Sequence, residues 1–532
     1  MKSLPARPSV ESLRKQAKKL ARDIAAGDAD AVARLRAHLP RVAPPLTQRN
    51  AQLVIAREYG YAGWQDLITE VNKRLGDGLD WAARQARRAI HDNDVERLEE
   101  LLAEYPALLS WLGDDDRKGL IGFATDAYGD AFGEERERWF TRMASAELLI
   151  DAHAVVAPAV FDGLLQSRAV GLLRLFQRKG LLPRTLSFAA ALGDPDEVQQ
   201  ALHENANDLA KVEEAFITAC RFEHASVASL LLERSITLDP DLGERVDEGP
   251  GRSAFVKFLI EDSPLDGERA TALGPWKAFI VGEVLHALDQ GDLATFNRVL
   301  QREHWLLGND YVWLQNRVIE TATLKDREEF IVALLDLSPA LLRRQPRPPS
   351  QAIEFALTYA HANLLPLLTR IWPVPDDLPH AAGMGNLSRV REWFDESGTP
   401  ALGDLEDHYP YNDAHAREQL HWNPPTAQQV LDTAFAFAVI NRHFDVADFL
   451  LEHGADINTN WNSHEPASIL HHLVFENNYE SMQYLIDRGI DLTITDYRWN
   501  STARGWALYG KKDEKMAEWL EQAERAREES AR

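Results

Sequence analysis

The stretch TAFAFAVINRHFDVADFLLEHGADINT, Thr433 to Thr459, decides the fold when it is set beside SILHHLVFENNYESMQYLIDRGIDLTI, Ser468 to Ile494. Gly454 and Gly489 stand 35 residues apart, and so do Thr433 and Ser468. Each copy opens on a small-apolar helix, carried in the first by Ala434, Ala436 and Ala438. A polar turn follows at Asn441–His443 or Asn477–Asn478. A second helix then sets Val446, Phe449, Leu450 and Leu451, or Met482, Leu485 and Ile486, along one face. The glycine just past that helix suits a left-handed cap, which a residue without a Cβ adopts at little cost. A helix pair of this size cannot bury its apolar stripe alone, so neighbouring copies must stack.

These units resemble ankyrin repeats, whose pattern is T-P-L-H, small residues, V-x-x-L-L and then G-A-D. LLEHGADINT (450–459) is a close match, and SILHH places Ser468, Leu470 and His471 at the Thr, Leu and His positions. WNSTARGWALYGKKDEKMAEWL (499–520) is similar to a final repeat, with Thr502 34 residues after Ser468 and Asp496 at the loop aspartate. Upstream the same grammar continues in degenerate form, as in DVERLEELLAEYP (94–106), SVASLLLERS (226–235) and REEFIVALLD (327–336). The expected fold class is therefore all-α, an α-solenoid of about a dozen ankyrin-like helix pairs preceded by a small helical module. The resemblance implies non-catalytic protein binding through the concave face and the finger loops between repeats.

The sequence suggests four regions. Residues 1–75 form a basic helical N-terminal module, and 80–400 hold degenerate repeats. Residues 401–427 are a long inserted loop, and 428–527 are well-formed repeats with a capping helix. In the first region SVESLRKQAKKLARDIAAGD puts Val10, Leu13, Ala17, Leu20 and Ile24 on one stripe. Arg14, Lys15, Lys18, Lys19 and Arg22 fall largely on the other face. The module is similar to one at the front of some bacterial ankyrin-repeat proteins. The Gly- and Pro-rich stretch at 240–275 is a candidate interruption.

Composition narrows the function. No apolar run approaches the ~18 residues of a membrane span. The segment MKSLPARPSVESLRKQAKKL lacks the apolar core of a secretory signal. Cys220 is the single cysteine, which excludes an internal disulfide and a cysteine-based metal site and suits a reducing cytoplasm. Residues 1–49 carry 11 Lys/Arg against 4 Asp/Glu, a net of +7, so the remainder holds −32 of the total −25. A body this acidic repels nucleic acid and anionic lipid and attracts basic protein surfaces. Only the basic head, 1–49, is suited to nucleic acid or an anionic surface.

Several motifs dissolve on inspection. Gly505–Lys512 reads like a phosphate-binding loop, but Lys512 stands where a hydroxyl residue is required, and the segment belongs to a repeat helix. DDDRKG (114–119) has Thr125, not Glu, at the twelfth position of a calcium loop. His471 is expected to make hydrogen bonds within and between repeats, as the resemblance implies. No cofactor and no metal are expected.

Two features remain as candidate binding elements. The insertion LGDLEDHYPYNDAHAREQLHWNPPTAQQ (402–429) is longer than a repeat loop needs and concentrates Asp404, Asp407, His408, Tyr409 and Tyr411. A passive ordered insertion is the alternative, and its histidines and carboxylates also leave room for an enzyme reading with a metal or acid/base site in 402–425. The dipeptide Trp-Asn recurs at Trp422–Asn423, Trp461–Asn462 and Trp499–Asn500, always between repeats. With His464 and Arg498, these tryptophans are candidates for an exposed recognition strip on neighbouring fingers; the alternative is that each indole folds back to pack between fingers.

Overall fold

The computed structural model describes residues 2, 4, 9–39, 48–75, 78–113, 118–126, 130–204, 207–343, 350–409, 425–459, 461, 467–496 and 499–530. Among them the architecture is all-α, with isolated antiparallel bridges at Phe394–Pro400 and Thr495–Thr502 as its only extended pairing. The chain divides into two compact units, Met1–Phe279 and Ile280–Arg532.

The first unit begins with four helices, Val10–Ala25, Ala29–His38, Gln48–Glu58 and Trp64–Leu75. Ser9 and Asp28 cap the first two by accepting the N–H groups of Ser12 and Ala31. The predicted stripe is the core: Leu13, Ala17, Leu20 and Ile24 are buried against Val54, Ile55, Leu67 and Val71. The basic face opposite it, Arg14, Lys15, Lys18, Lys19 and Arg22, is exposed. Inside the bundle the Glu58 carboxylate takes a two-pronged bond from Arg34 at 2.6 and 2.9 Å and a third from Lys2 at 2.6 Å. Burial alone would push that carboxyl up. The Arg34 and Lys2 bonds outweigh it, and the group stays below its ordinary range.

Helix pairs follow in both units, and left-handed residues mark turns between the two helices of a pair. In the second unit these are Gly291, Asp326, Ala360, Gly385, Arg442, Asn477 and Lys512. The spacing is 35, 34, 25, 57, 35 and 35 residues. The interval of 57 exceeds 35 by 22 residues and contains the insertion. The stretch at 240–275 is helical, with helices Pro240–Glu248 and Arg252–Glu261. A third helix, Gly267–Gln290, is broken at Gly274 (φ 73°) before Pro275.

Neighbouring pairs are joined through the C-terminal carbonyls of their first helices. A helix ends with about four C=O groups that lack an intrahelical partner. The turn of the next pair supplies donors to them. His224 Nε2 lies 3.0 Å from the Ala191 carbonyl, and His361 Nδ1 lies 2.7 Å from that of Thr323. Asn478 Nδ2 donates to Ile440 at 2.9 Å, and Lys511 Nζ to Val474 at 2.7 Å. Burial behind these joints is nearly complete: every residue from Val430 to Ile440 in the helix Ala427–Ile440 is buried.

One expectation needs correction here. Thr433 does not begin its helix as Ser468 does. The first helix of that repeat starts two turns earlier, where Thr426 and Gln429 form a reciprocal cap. Thr433 sits mid-helix and donates back to the Gln429 carbonyl at 2.9 Å. The end of the insertion has been drawn into the helix, because residues 427–432 continue its helical pattern without a breaker.

Candidate partner-binding cleft in the C-terminal repeats

The finger before the last repeat is built around one carboxylate. Asp496, 2% exposed, accepts the Trp499 and Ser501 N–H groups at 2.6 and 2.9 Å and the Trp506 indole N–H at 3.0 Å. Three donors on one side chain close the loop and hold the Trp506 indole. Beneath it, Ser468 Oγ and His471 Nδ1 lie 2.7 Å apart, and His471 Nε2 reaches the Ser501 carbonyl at 3.0 Å. These are the bonds within and between repeats expected of that histidine. Burial lowers its basicity.

The last repeat departs from the one before it. Ser468 to the left-handed Asn477 is nine residues, whereas Thr502 to the left-handed Lys512 is ten. The extra residue is taken up as a π-helical turn over Trp506–Gly510, closed by the Lys511 N–H on the Trp506 carbonyl at 2.9 Å. A π turn widens the helix by one residue and occurs often at functional sites. Here it leaves Tyr509 78% exposed.

Beside this turn lies a cleft of about 820 Å³, lined by Tyr359, His472, Phe475, Glu476, Trp499, Asn500, Ser501, Gly505, Trp506, Tyr509 and Gly510. Trp506 is its floor. Phe475 and Trp499 stand edge-on to it at centroid distances of 5.6 and 5.9 Å. Phe475 and Trp499 are 49% and 55% exposed. Clustered exposed aromatics are uncommon on a surface that meets only water. Glu476 follows the helix Ile469–Phe475, and burial pushes its carboxyl up to about 7, with the nearby Lys511 ammonium opposing the shift.

The sequence-predicted residues divide among different environments. Trp499 lies in the cleft. Trp461 does not join an exposed strip: it is 3% exposed and folds inward, edge-on to Phe437 at 6.0 Å and His472 at 5.8 Å. An indole in an inter-repeat loop loses more by facing water than by filling the gap between first helices. Asp404 and Asp407 are exposed on a short 3₁₀ turn, and Asp404 caps the Glu406 N–H. His408 is corrected in the same way as Trp461. It is 1% exposed, accepts the Leu378 N–H at Nδ1 (3.2 Å) and donates from Nε2 to Leu402 (3.0 Å). Both ring nitrogens are used in holding the loop to the repeat. Tyr409 is half-buried against His380 and Phe437. Tyr411, Trp422, Asn462, His464 and Arg498 lie outside the described residues.

Sequence reasoning missed Phe475, Glu476 and Tyr509, and Tyr359 from more than a hundred residues upstream. It also missed the buried group under Tyr409. His380 Nδ1 lies 2.7 Å from Asp377, and His380 Nε2 lies 3.8 Å from Glu354. Asp-Leu-Pro-His at 377–380 is a second T-P-L-H-like cap, and its acid at the first position was the legible signal.

Residues 411–496 match the family model described as Ankyrin repeats (3 copies). This part of the chain is similar to an array of ankyrin repeats. Such repeats are in general protein–protein interaction modules. A search of curated proteins found no match to the chain.

Proposed function

We propose that the protein is a non-catalytic scaffold that binds a partner protein through its C-terminal ankyrin repeats. The observation that carries this reading is the aromatic cleft at 472–510, where Phe475, Trp499 and Tyr509 are exposed on stacked, rigid helices. Rigid presentation limits the ordering cost of association. Asp404, Asp407 and Tyr409 extend the contact surface, and the net charge of −25 selects a partner with a basic face. Trp461 and His408 support that surface from beneath. The single buried cysteine fits a cytoplasmic setting. The enzyme reading is weaker, because His408, the described histidine of the insertion, spends both nitrogens on backbone groups. A tether through the N-terminal module keeps one specific support, the exposed row Arg14, Lys15, Lys18, Lys19 and Arg22.

The test is affinity capture from nuclease-treated lysate with wild type and with a folded Trp499→Ala, Tyr509→Ala double variant. Capture of one protein by wild type, weakened at least about tenfold in the variant, is the expected outcome. Equal capture by both would remove the cleft from the interface. Loss on deleting residues 1–75 instead would support the tether.

A further inference from the structure

We propose that the cleft seats an alkylammonium group, the side chain of a lysine on the partner protein; this deepens the scaffold reading and rests on it. Aromatic faces carry negative quadrupole charge and attract a cation lying over them, most strongly at Trp and where water is excluded. Trp499, Trp506, Phe475, Tyr509 and Tyr359 supply such faces around one space. The one carboxylate among the lining residues is Glu476.

Its position is adverse in the free protein. Glu476 follows the C-terminal end of the helix Ile469–Phe475, where the helix dipole opposes negative charge, and its surroundings are partly desolvated. Lys511 offers only partial relief, since its ammonium is bonded to the Val474 carbonyl and the Asn477 side chain. An incoming cation reverses both penalties at once.

A lysine fits better than an arginine. A guanidinium is best satisfied by a planar set of acceptors, and the cleft presents a single carboxylate. A four-carbon stem needs apolar walls, and these the cleft has in excess. The acidic body draws such a group in.

The test uses the intact protein and two probes of matched shape: tetramethylammonium chloride and neutral tert-butanol. Indole N–H resonances of Trp499 and Trp506, assigned with Trp499→Phe and Trp506→Phe, report binding, with sodium chloride at equal ionic strength as control. The expected result is saturable shifts of both indoles by tetramethylammonium, with tert-butanol at least about threefold weaker. Glu476→Gln should weaken the cation about threefold or more and leave tert-butanol unchanged. Equal binding of the two probes, or a cation response indifferent to Glu476→Gln, would overturn the proposal and make the cleft an apolar slot. Because no partner is involved, the two readings fail separately. Partner capture lost in the Trp499→Ala, Tyr509→Ala variant together with no cation response keeps the scaffold and rejects the lysine.

Discussion

Glu476 and Asp496 show how differently two carboxylates of the C-terminal repeats behave. Asp496 is surrounded by N–H donors that its negative charge satisfies, so burial there is compensated. Glu476 has no such set of donors, and burial holds its proton to about 7. The unfolded chain releases that proton near the ordinary value of 4.5. Between the two values the native state binds more protons than the unfolded state, so stability falls as pH rises from about 4.5 to about 7. Glu476→Gln cannot ionise and removes this contribution. Urea midpoints compared at about pH 5 and about pH 8 should therefore drop less in Glu476→Gln than in wild type. An identical drop in both proteins would mean that the carboxyl is well solvated in the native state.

The inter-helix turn is the element on which stacking depends. Gly385 holds φ at +69°, and a Cβ there would meet His443 Nδ1 at 2.5 Å. Gly193 repeats the arrangement, with His224 at the same 2.5 Å. In each case the missing side chain lets a histidine from the following pair reach the end of a first helix. Gly385→Ala adds left-handed strain and displaces that histidine, at a cost of about 2–3 kcal/mol. Chemical unfolding should show this loss, and the change should not be restored by lowering salt. Much of this element was legible. The 35-residue interval, the alanine-rich first helices and the left-handed Gly454 and Gly489 followed from pattern and backbone sterics. The π turn was also present as a count, ten residues from Thr502 to Lys512 against nine before it. What failed was the assignment of side chains to water or core. Trp461 and Trp499 share the same dipeptide and the same kind of loop, yet one is buried and the other half-exposed. Sequence spacing fixes where an indole leaves the backbone, and packing against the neighbouring repeat helices decides where it points.

At the scale of the whole molecule, charge sets the terms of encounter. Outside residues 1–49 the chain carries −32, and the cleft lies in that acidic part. Long-range attraction acts before contact, so it raises the association rate far more than it slows dissociation. Screening removes it: the Debye length falls from about 30 Å at 0.01 M salt to about 3 Å at 1 M. The lysine in the cleft, by contrast, acts at contact and is partly shielded from solvent. Binding of the captured partner should therefore lose about tenfold or more in association rate across that salt range, with the dissociation rate changing by less than about threefold. Glu476→Gln should show the reverse division, a faster dissociation with the salt slope of association nearly kept. Stopped-flow or biosensor kinetics on the two proteins separates the cases. If salt instead accelerates dissociation while association stays constant, recognition is carried by exposed ion pairs at the rim, such as those open to Asp404 and Asp407, and not by the acidic field of the body.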